Sequence, residues 1–207
     1  MNTPAYQFTN DWFGVYARQI WTDLLPQFRP VRVLEIGAFE GASTCFLIAE
    51  APAHTITELH CIDTWEGGIE HQEGGENMAA VEQRFVHNVN TALAQAGRAV
   101  QVQIRKGYSD RGLSRLPADK GPGAFDFIYV DGSHQAPDVL CDAVLAFRLL
   151  RVGGVLAFDD YLWHETTPPD PLRCPKVAID AFVNIYVQKL QVLRTPMYQL
   201  YVQKLSD

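Results

Sequence analysis

The chain has 207 residues, of which 47% are hydrophobic and 20% charged, with 17 basic against 24 acidic residues and a formal net charge of −7. That is the size of one domain whose core needs neither disulfide nor metal to fold, and the apolar content excludes a disordered chain. The acidic balance and scattered basic residues argue against nucleic acid as a partner, and the longest apolar runs (Cys45 to Ala49, Val155 to Phe158) are far too short for a membrane span.

Residues Met1 to Asp11 lack the basic start and apolar core of a secretory leader. Apolar positions Trp12, Phe13, Val15, Tyr16, Ile20, Trp21 and Leu24 then predict an amphipathic helix over Asn10 to Leu25. Val31 to Ile36 reads as a buried strand ending at glycine, Gly41 to Glu50 as a helix, and Leu59 to Ile62 as a second strand ending at Asp63. The glycine- and glutamate-rich stretch Glu66 to Glu76 reads as a mobile loop, a candidate lid, with His71 solvated in it. A helix from Met78 to Ala96 follows, stopped by Gly97, with His87 on its outer side. Val100 to Ile104 and Phe125 to Val130 are the third and fourth strands, Pro137 to Leu150 a helix, and Val155 to Phe158 the fifth strand. After a proline-rich loop, Thr166 to Pro175, come a helix over Val177 to Gln188 and two strands, Leu190 to Leu193 and Tyr198 to Gln203.

This alternation predicts an α/β fold: a doubly wound, mainly parallel, seven-stranded Rossmann-like sheet with helices on both faces and the last strand antiparallel. Residues 1–207 read as a single domain, 1–30 a helical lead-in and 31–207 the core. Cysteines Cys45, Cys61, Cys141 and Cys174 show no C-x-x-C or metal-ligand spacing, and three lie in apolar runs, which points to a reducing, cytoplasmic setting.

In such sheets ligands bind beyond the carboxyl ends of the strands. After the first strand, Glu35-Ile36-Gly37-Ala38-Phe39-Glu40-Gly41-Ala42-Ser43 keeps glycines for a tight turn and a helix start. Phe39 stands where a dinucleotide fingerprint needs its second glycine, which argues against a pyrophosphate and an NAD-dependent oxidoreductase. Asp63, twenty-two residues past Gly41, is placed to accept hydrogen bonds from a ribose diol. Asp131 ends the fourth strand and Asp159-Asp160 the fifth, so three carboxylates meet if those ends are neighbours, and they repel unless a cation joins them. All-oxygen ligands suit Mg²⁺; the alternative is that the aspartates cap turns.

These residues carry a family resemblance. Leu34 to Ser43 resembles the first motif of class I S-adenosylmethionine-dependent methyltransferases, and Cys61-Ile62-Asp63-Thr64-Trp65, Lys106-Gly107-Tyr108-Ser109, Phe125 to His134 and Leu150 to Val155 resemble later motifs in order. The chain is most similar to small-molecule O-methyltransferases of the catechol and macrocin type. The resemblance implies that Gly37 and Phe39 line the methionine part of S-adenosylmethionine while Ser43 binds its carboxylate or amino group. It puts Glu35 behind the glycine turn, Asp63 on the ribose hydroxyls, Ser109 on the adenine and Trp65 at the adenine wall. It also implies Mg²⁺ on Asp131, Asp159 and Asp160, although Asp-Asp replaces the usual pair at the second position. His134, three residues after Asp131, resembles the macrolide-type base, with His164 in reserve.

The expectation is thus transfer of a methyl group to a hydroxyl of a small molecule, with Mg²⁺ assisting. The alternatives are a metal-independent methyltransferase on another acceptor and a non-catalytic nucleoside-binding partner of a biosynthetic enzyme. The aromatics Trp12, Phe13, Tyr16 and Trp21 read as helix packing before acceptor pocket. An acceptor site completed by a second copy of the chain is compatible with this reading, so a homo-oligomer is allowed.

Overall fold

The computed structural model describes residues 5–52, 54–164 and 166–207, with the side chains of all of these but 117–119. The first helical stretch divides at Ala17 into α1 (Trp12–Tyr16) and α2 (Arg18–Phe28), and Arg29 in the left-handed region ends it. β1 (Arg32–Ile36) leads to α3 (Ala42–Cys45), which runs on as a π-turn over Phe46–Glu50. Then come β2 (Glu58–Asp63), α4 (Ile69–Glu73), α5 (Met78–Gln95), β3 (Gln101–Lys106) and α6 (Ser109–Lys120). β4 (Phe125–Val130), α7 (Ala136–Leu149), β5 (Leu150–Phe158), α8 (Pro175–Ile185), β6 (Leu190–Val192) and β7 (Leu200–Lys204) complete the chain.

Seven strands form one sheet in the order β3-β2-β1-β4-β5-β7-β6, parallel from β3 to β5, with β7 antiparallel to both its neighbours. The expected fold is therefore present, including the late antiparallel strand. Strand alternation divides the core. From β4, Phe127 and Tyr129 enter one layer with Trp21, Phe46 and Phe85, while Ile128 and Val130 enter the other with Leu113, Phe147 and Phe182. Trp21 is fully buried and meets Phe127 and Tyr129 edge-on at 5.2 and 4.9 Å between ring centroids. It thereby fixes the lead-in helices to the sheet.

Two elements depart from the sequence reading. The stretch between Lys106 and Phe125 contains a twelve-residue helix, α6, whose apolar contribution is chiefly Leu113 and Leu116. Gly112 within it masks the helical signal, yet a β-carbon there would lie 2.9 Å from Ile62 Cδ1, so the glycine lets α6 sit close on β2. The glutamate-rich loop carries the short helix α4 between two glycine pairs, Gly67-Gly68 and Gly74-Gly75.

Candidate active site

Register places the functional residues before any side chain is considered. Ile36 pairs with Ile62 on one side and Val130 on the other, and Val130 pairs with Phe158. The next residue along each strand is Asp63, Gly37, Asp131 and Asp159, so these four form one row across the carboxyl edge of the sheet.

The turn after β1 is held by its neighbours. Ala38 and Phe39 donate their backbone N–H groups to Asp63 Oδ2 at 2.7 and 3.0 Å, and Trp65 donates to Oδ1 at 2.7 Å. Behind the turn, Glu35 is fully buried and accepts from the hydroxyls of Ser43 and Thr44 and from the Cys61 thiol. Desolvation pushes its carboxyl above the usual range, against the pull of those three donors. Gly41 starts α3 at φ +82°, where a β-carbon would press on Phe85 at 2.9 Å.

Two clefts open on this edge. The first, about 660 Å³, is lined by Gly37, Asp63, Ser109, Asp131 and, from α7, Asp142. Asp142 is 1% exposed; among the described residues its Oδ1 has no hydrogen-bond partner, and Ser109 hydrogen-bonds the carboxylate. Burial raises its pKa to about 7 despite that bond. The second cleft, about 360 Å³, is walled by Phe8, Trp12, Tyr16, Trp163 and Tyr198 and floored by Asp131, Asp159 and Asp160. Phe39, His71, Asp131 and Gly132 border both clefts. The N-terminal wall is fastened from below: Thr9 donates twice to Glu40, at 2.7 and 2.8 Å, and Gln7 N–H donates to Asn88 Oδ1 at 2.6 Å.

The three aspartates share one floor, and burial together with the charges of Asp159 and Asp160 drives the Asp131 pKa well up. Among the described residues no three His, Cys, Asp or Glu side chains converge on a common point for a metal ion. Their oxygens face protein donors instead. Asp159 accepts from the Tyr129 hydroxyl and from its neighbour's N–H at 2.8 Å, and Asp160 Oδ2 lies 2.8 Å from His134 Nε2. In chemistry, three crowded carboxylates still fit a hard divalent cation that would relieve their repulsion.

His134 is held from both sides, since Glu70 Oε1 of α4 lies 3.3 Å from its Nδ1, and Trp163 covers the ring at 4.2 Å. Burial alone would lower the His134 pKa, but the bonds to Asp160 and Glu70 carry it up to about 10, so the paired ring is a cation. The same bonds, with one from His71, hold Glu70 well below its usual range against the effect of burial.

Glu35, Gly37, Phe39, Gly41, Ser43, Asp63, Ser109, Asp131, His134, Asp159 and Asp160 thus lie at or directly behind the clefts. Trp65 is not among the described residues that line either cleft; it is buried against Phe85 at 4.8 Å and donates to the Phe39 carbonyl, propping the turn. His164 also lines neither, its Nδ1 lying 3.1 Å from the Thr166 carbonyl. Nor is His71 solvated as expected; it packs on Phe39 at 5.3 Å beside Glu70. Trp12 and Tyr16, read as helix packing, are 55% and 42% exposed at the mouth of the second cleft; Phe13, though buried, also lines it, whereas Trp21 is buried in the core.

Sequence reasoning missed Asp142 and Glu70. For Asp142 a signal existed: it interrupts the stripe Val139, Ala143, Ala146 that faces the core. Glu70 had none, being one of several glutamates in a stretch without periodicity.

A family model described as Methyltransferase domain matches residues 34–161. A protein named probable caffeoyl-CoA O-methyltransferase 3, from Dictyostelium discoideum, is 24% identical over 168 residues, which is 76% of this chain and 58% of that one. Caffeoyl-CoA O-methyltransferase 1 of Eucalyptus globulus is 34% identical over 84 residues, 39% of this chain and 33% of that one. The chain therefore spans less than two thirds of the length of these curated relatives. The O-methyltransferase TomG of Streptomyces achromogenes, solved in complex with SAM, is similar in fold with a TM-score of 0.59 and 23% identity, covering 91% of this chain and 79% of that one.

Proposed function

The chain belongs to the methyltransferase-domain family, and from that premise we propose that it transfers a methyl group from S-adenosylmethionine to a hydroxyl of a small molecule, with Mg²⁺ assisting. The observation that carries this reading is the junction of the two clefts. A nucleoside-sized cleft with the glycine turn and Asp63 meets an aromatic-walled one at Phe39 and Asp131, with His134 lining the second. A methyl donor in the first and a hydroxyl acceptor in the second would face each other there.

In this reading Gly37, Phe39 and Ser43 receive the methionine part, Asp63 the ribose and Ser109 the adenine. The sulfonium methyl is already activated, so the protein's work is to align the acceptor oxygen and remove its proton. Asp131, Asp159 and Asp160 would hold Mg²⁺, which supplies Lewis acidity toward the acceptor oxygen when bound. His134 is the base. As it stands the ring is a cation with its Nε2 committed to Asp160, and it can take the acceptor's proton only once that carboxylate is engaged elsewhere and the ring has released the proton it already holds to solvent. The same commitment favours a second reading, metal-independent transfer, in which EDTA leaves turnover unchanged.

The test is thermal unfolding of metal-stripped protein with S-adenosylmethionine, with NAD as control. Ligand at about a hundred times its Kd adds roughly 2.7 kcal/mol, about 5–10 °C for a chain of this size. No shift at millimolar S-adenosylmethionine sinks the proposal. In an active preparation, His134→Ala keeps that shift and loses about a hundredfold or more in turnover; unchanged turnover removes His134 as base.

A further inference from the structure

The first cleft ends in a buried acid that the fold leaves half-bonded. Ser109, Asp110, Cys141 and Asp142, from α6 and α7, line this cleft alone, whereas Phe39 and Asp131 belong to both clefts. The other buried acids among the described residues are well provided with donors. Glu35 accepts from Ser43, Thr44 and Cys61, and Glu40 accepts twice from Thr9 and once from Arg84. Asp142 is equally buried, yet it has the bond from Ser109, and its Oδ1 has no hydrogen-bond partner among the described residues. The charges that act on it, from Asp138 and Asp110, have its own sign. An acceptor so placed has lost its hydration and gained nothing in return.

Resting on the methyltransferase reading, we propose that Asp142 makes the cofactor site specific for a 6-aminopurine, its Oδ1 accepting an N–H of the exocyclic amine. S-adenosylmethionine carries three sets of hydrogen-bond donors. In that reading its amino group goes to the turn after β1 and its ribose hydroxyls to Asp63. The 6-amino group is then the donor left for the end of the cleft where Ser109 and Asp142 stand. A 6-oxo purine presents a carbonyl oxygen in the same place, so two acceptors would face each other. Sites built around a buried hydrogen bond reject the analogue that cannot make it far more strongly than apolar pockets reject a misfit. The same role accounts for an acid breaking the apolar stripe Val139, Ala143, Ala146 of α7 at this one point.

The experiment titrates the full chain with S-adenosylhomocysteine and its 6-oxo counterpart, S-inosylhomocysteine, by calorimetry at pH 8. At that pH the carboxyl, which burial raises to about 7, is ionised and only accepts. The unmodified protein is expected to bind the amino form at least about tenfold more tightly. Asp142→Leu, similar in shape and without polar atoms, should bring the two affinities within about threefold of each other. A residue that only supported Ser109 would weaken both ligands together and leave their ratio standing. A ratio below about tenfold in the unmodified protein, or one that survives in Asp142→Leu, overturns the proposal. If that variant fails to fold, Asp142→Asn decides. Its amide can turn an N–H toward the 6-oxo group, so the ratio falls there too, and an unchanged ratio overturns the proposal as well. Failure to bind either ligand sinks the methyltransferase reading, whereas binding of both without preference sinks this inference alone.

Discussion

A β-carbon on Gly37 would overlap the main-chain carbonyl oxygen of Asp131, and the φ of +83° there strains any L side chain. Because that carbonyl belongs to the neighbouring strand end, the clash cannot be relieved by a rotamer change. Gly37→Ala is expected to cost at least about 2 kcal/mol and to abolish the S-adenosylmethionine thermal shift. Gly97 is the control, with φ +61° and nothing within 4 Å of a β-carbon. Gly97→Ala should cost only about 1 kcal/mol of backbone strain and keep the shift. Similar losses in both would show that the Asp131 contact does not matter.

Asp142 gives a pH signature at the same scale. Burial raises its carboxyl to about 7, above the value of roughly 4 in the unfolded chain. The folded protein therefore binds the extra proton between those values. The stability linked to this group is fully present below about pH 4, declines as pH rises through the window, and is gone above about pH 7. Asp142→Asn should flatten that slope and make the variant more stable than the parent at pH 8 by roughly 2–4 kcal/mol, measured by urea unfolding at pH 5 and 8. A parallel pH profile in the variant would contradict it.

Between elements, the lead-in helix and the far end of the sheet are joined to the cleft by donors that all point one way. Trp21 Nε1 of α2 donates to the Tyr201 hydroxyl at 2.9 Å, Tyr201 donates to Gln199, Gln199 reaches the Tyr129 hydroxyl at 3.5 Å, and Tyr129 donates to Asp159. Tyr129→Phe keeps the ring and removes the last donor of the relay, leaving the part-buried Asp159 carboxylate without its hydroxyl partner. It is expected to lower stability by about 1–3 kcal/mol in urea unfolding, and an unchanged midpoint would mean that Asp159 finds another donor. None of this relay was legible in the sequence, because Trp21 and Tyr201 lie 180 positions apart. What was legible were the strands, since apolar runs such as Phe125 to Val130 are too short for helices and each ends at a charged residue or a glycine. α6 was not, because Gly112 breaks its pattern and leaves Leu113 and Leu116 too few to show a period. Of the site, the row Gly37, Asp63, Asp131, Asp159 could be read from strand ends alone. The packing of Trp65 beneath the turn could not, since an aromatic after a strand end is equally at home at a rim or in a core.

At the scale of the whole molecule, a chain of net charge −7 gathers three aspartates on one cleft floor, so added cations can act in two ways. Salt screens the diffuse charge, with a Debye length of about 10 Å at 0.1 M, and does so for any ion. A divalent ion taken up by Asp131, Asp159 and Asp160 would instead act by mass action on the folded state alone. The two differ in concentration dependence and in sensitivity to one side chain. Mg²⁺ should raise the unfolding temperature of metal-stripped protein by several degrees at millimolar concentration, well beyond NaCl at matched ionic strength. Asp131→Asn should abolish that excess while raising stability without Mg²⁺, because it removes a buried carboxyl whose ionised form is disfavoured by burial and by the charges of Asp159 and Asp160. If NaCl and Mg²⁺ act equally, the cleft acids are a diffuse field and metal-independent transfer is the better reading. If the excess persists in Asp131→Asn, Mg²⁺ binds elsewhere on this acidic surface.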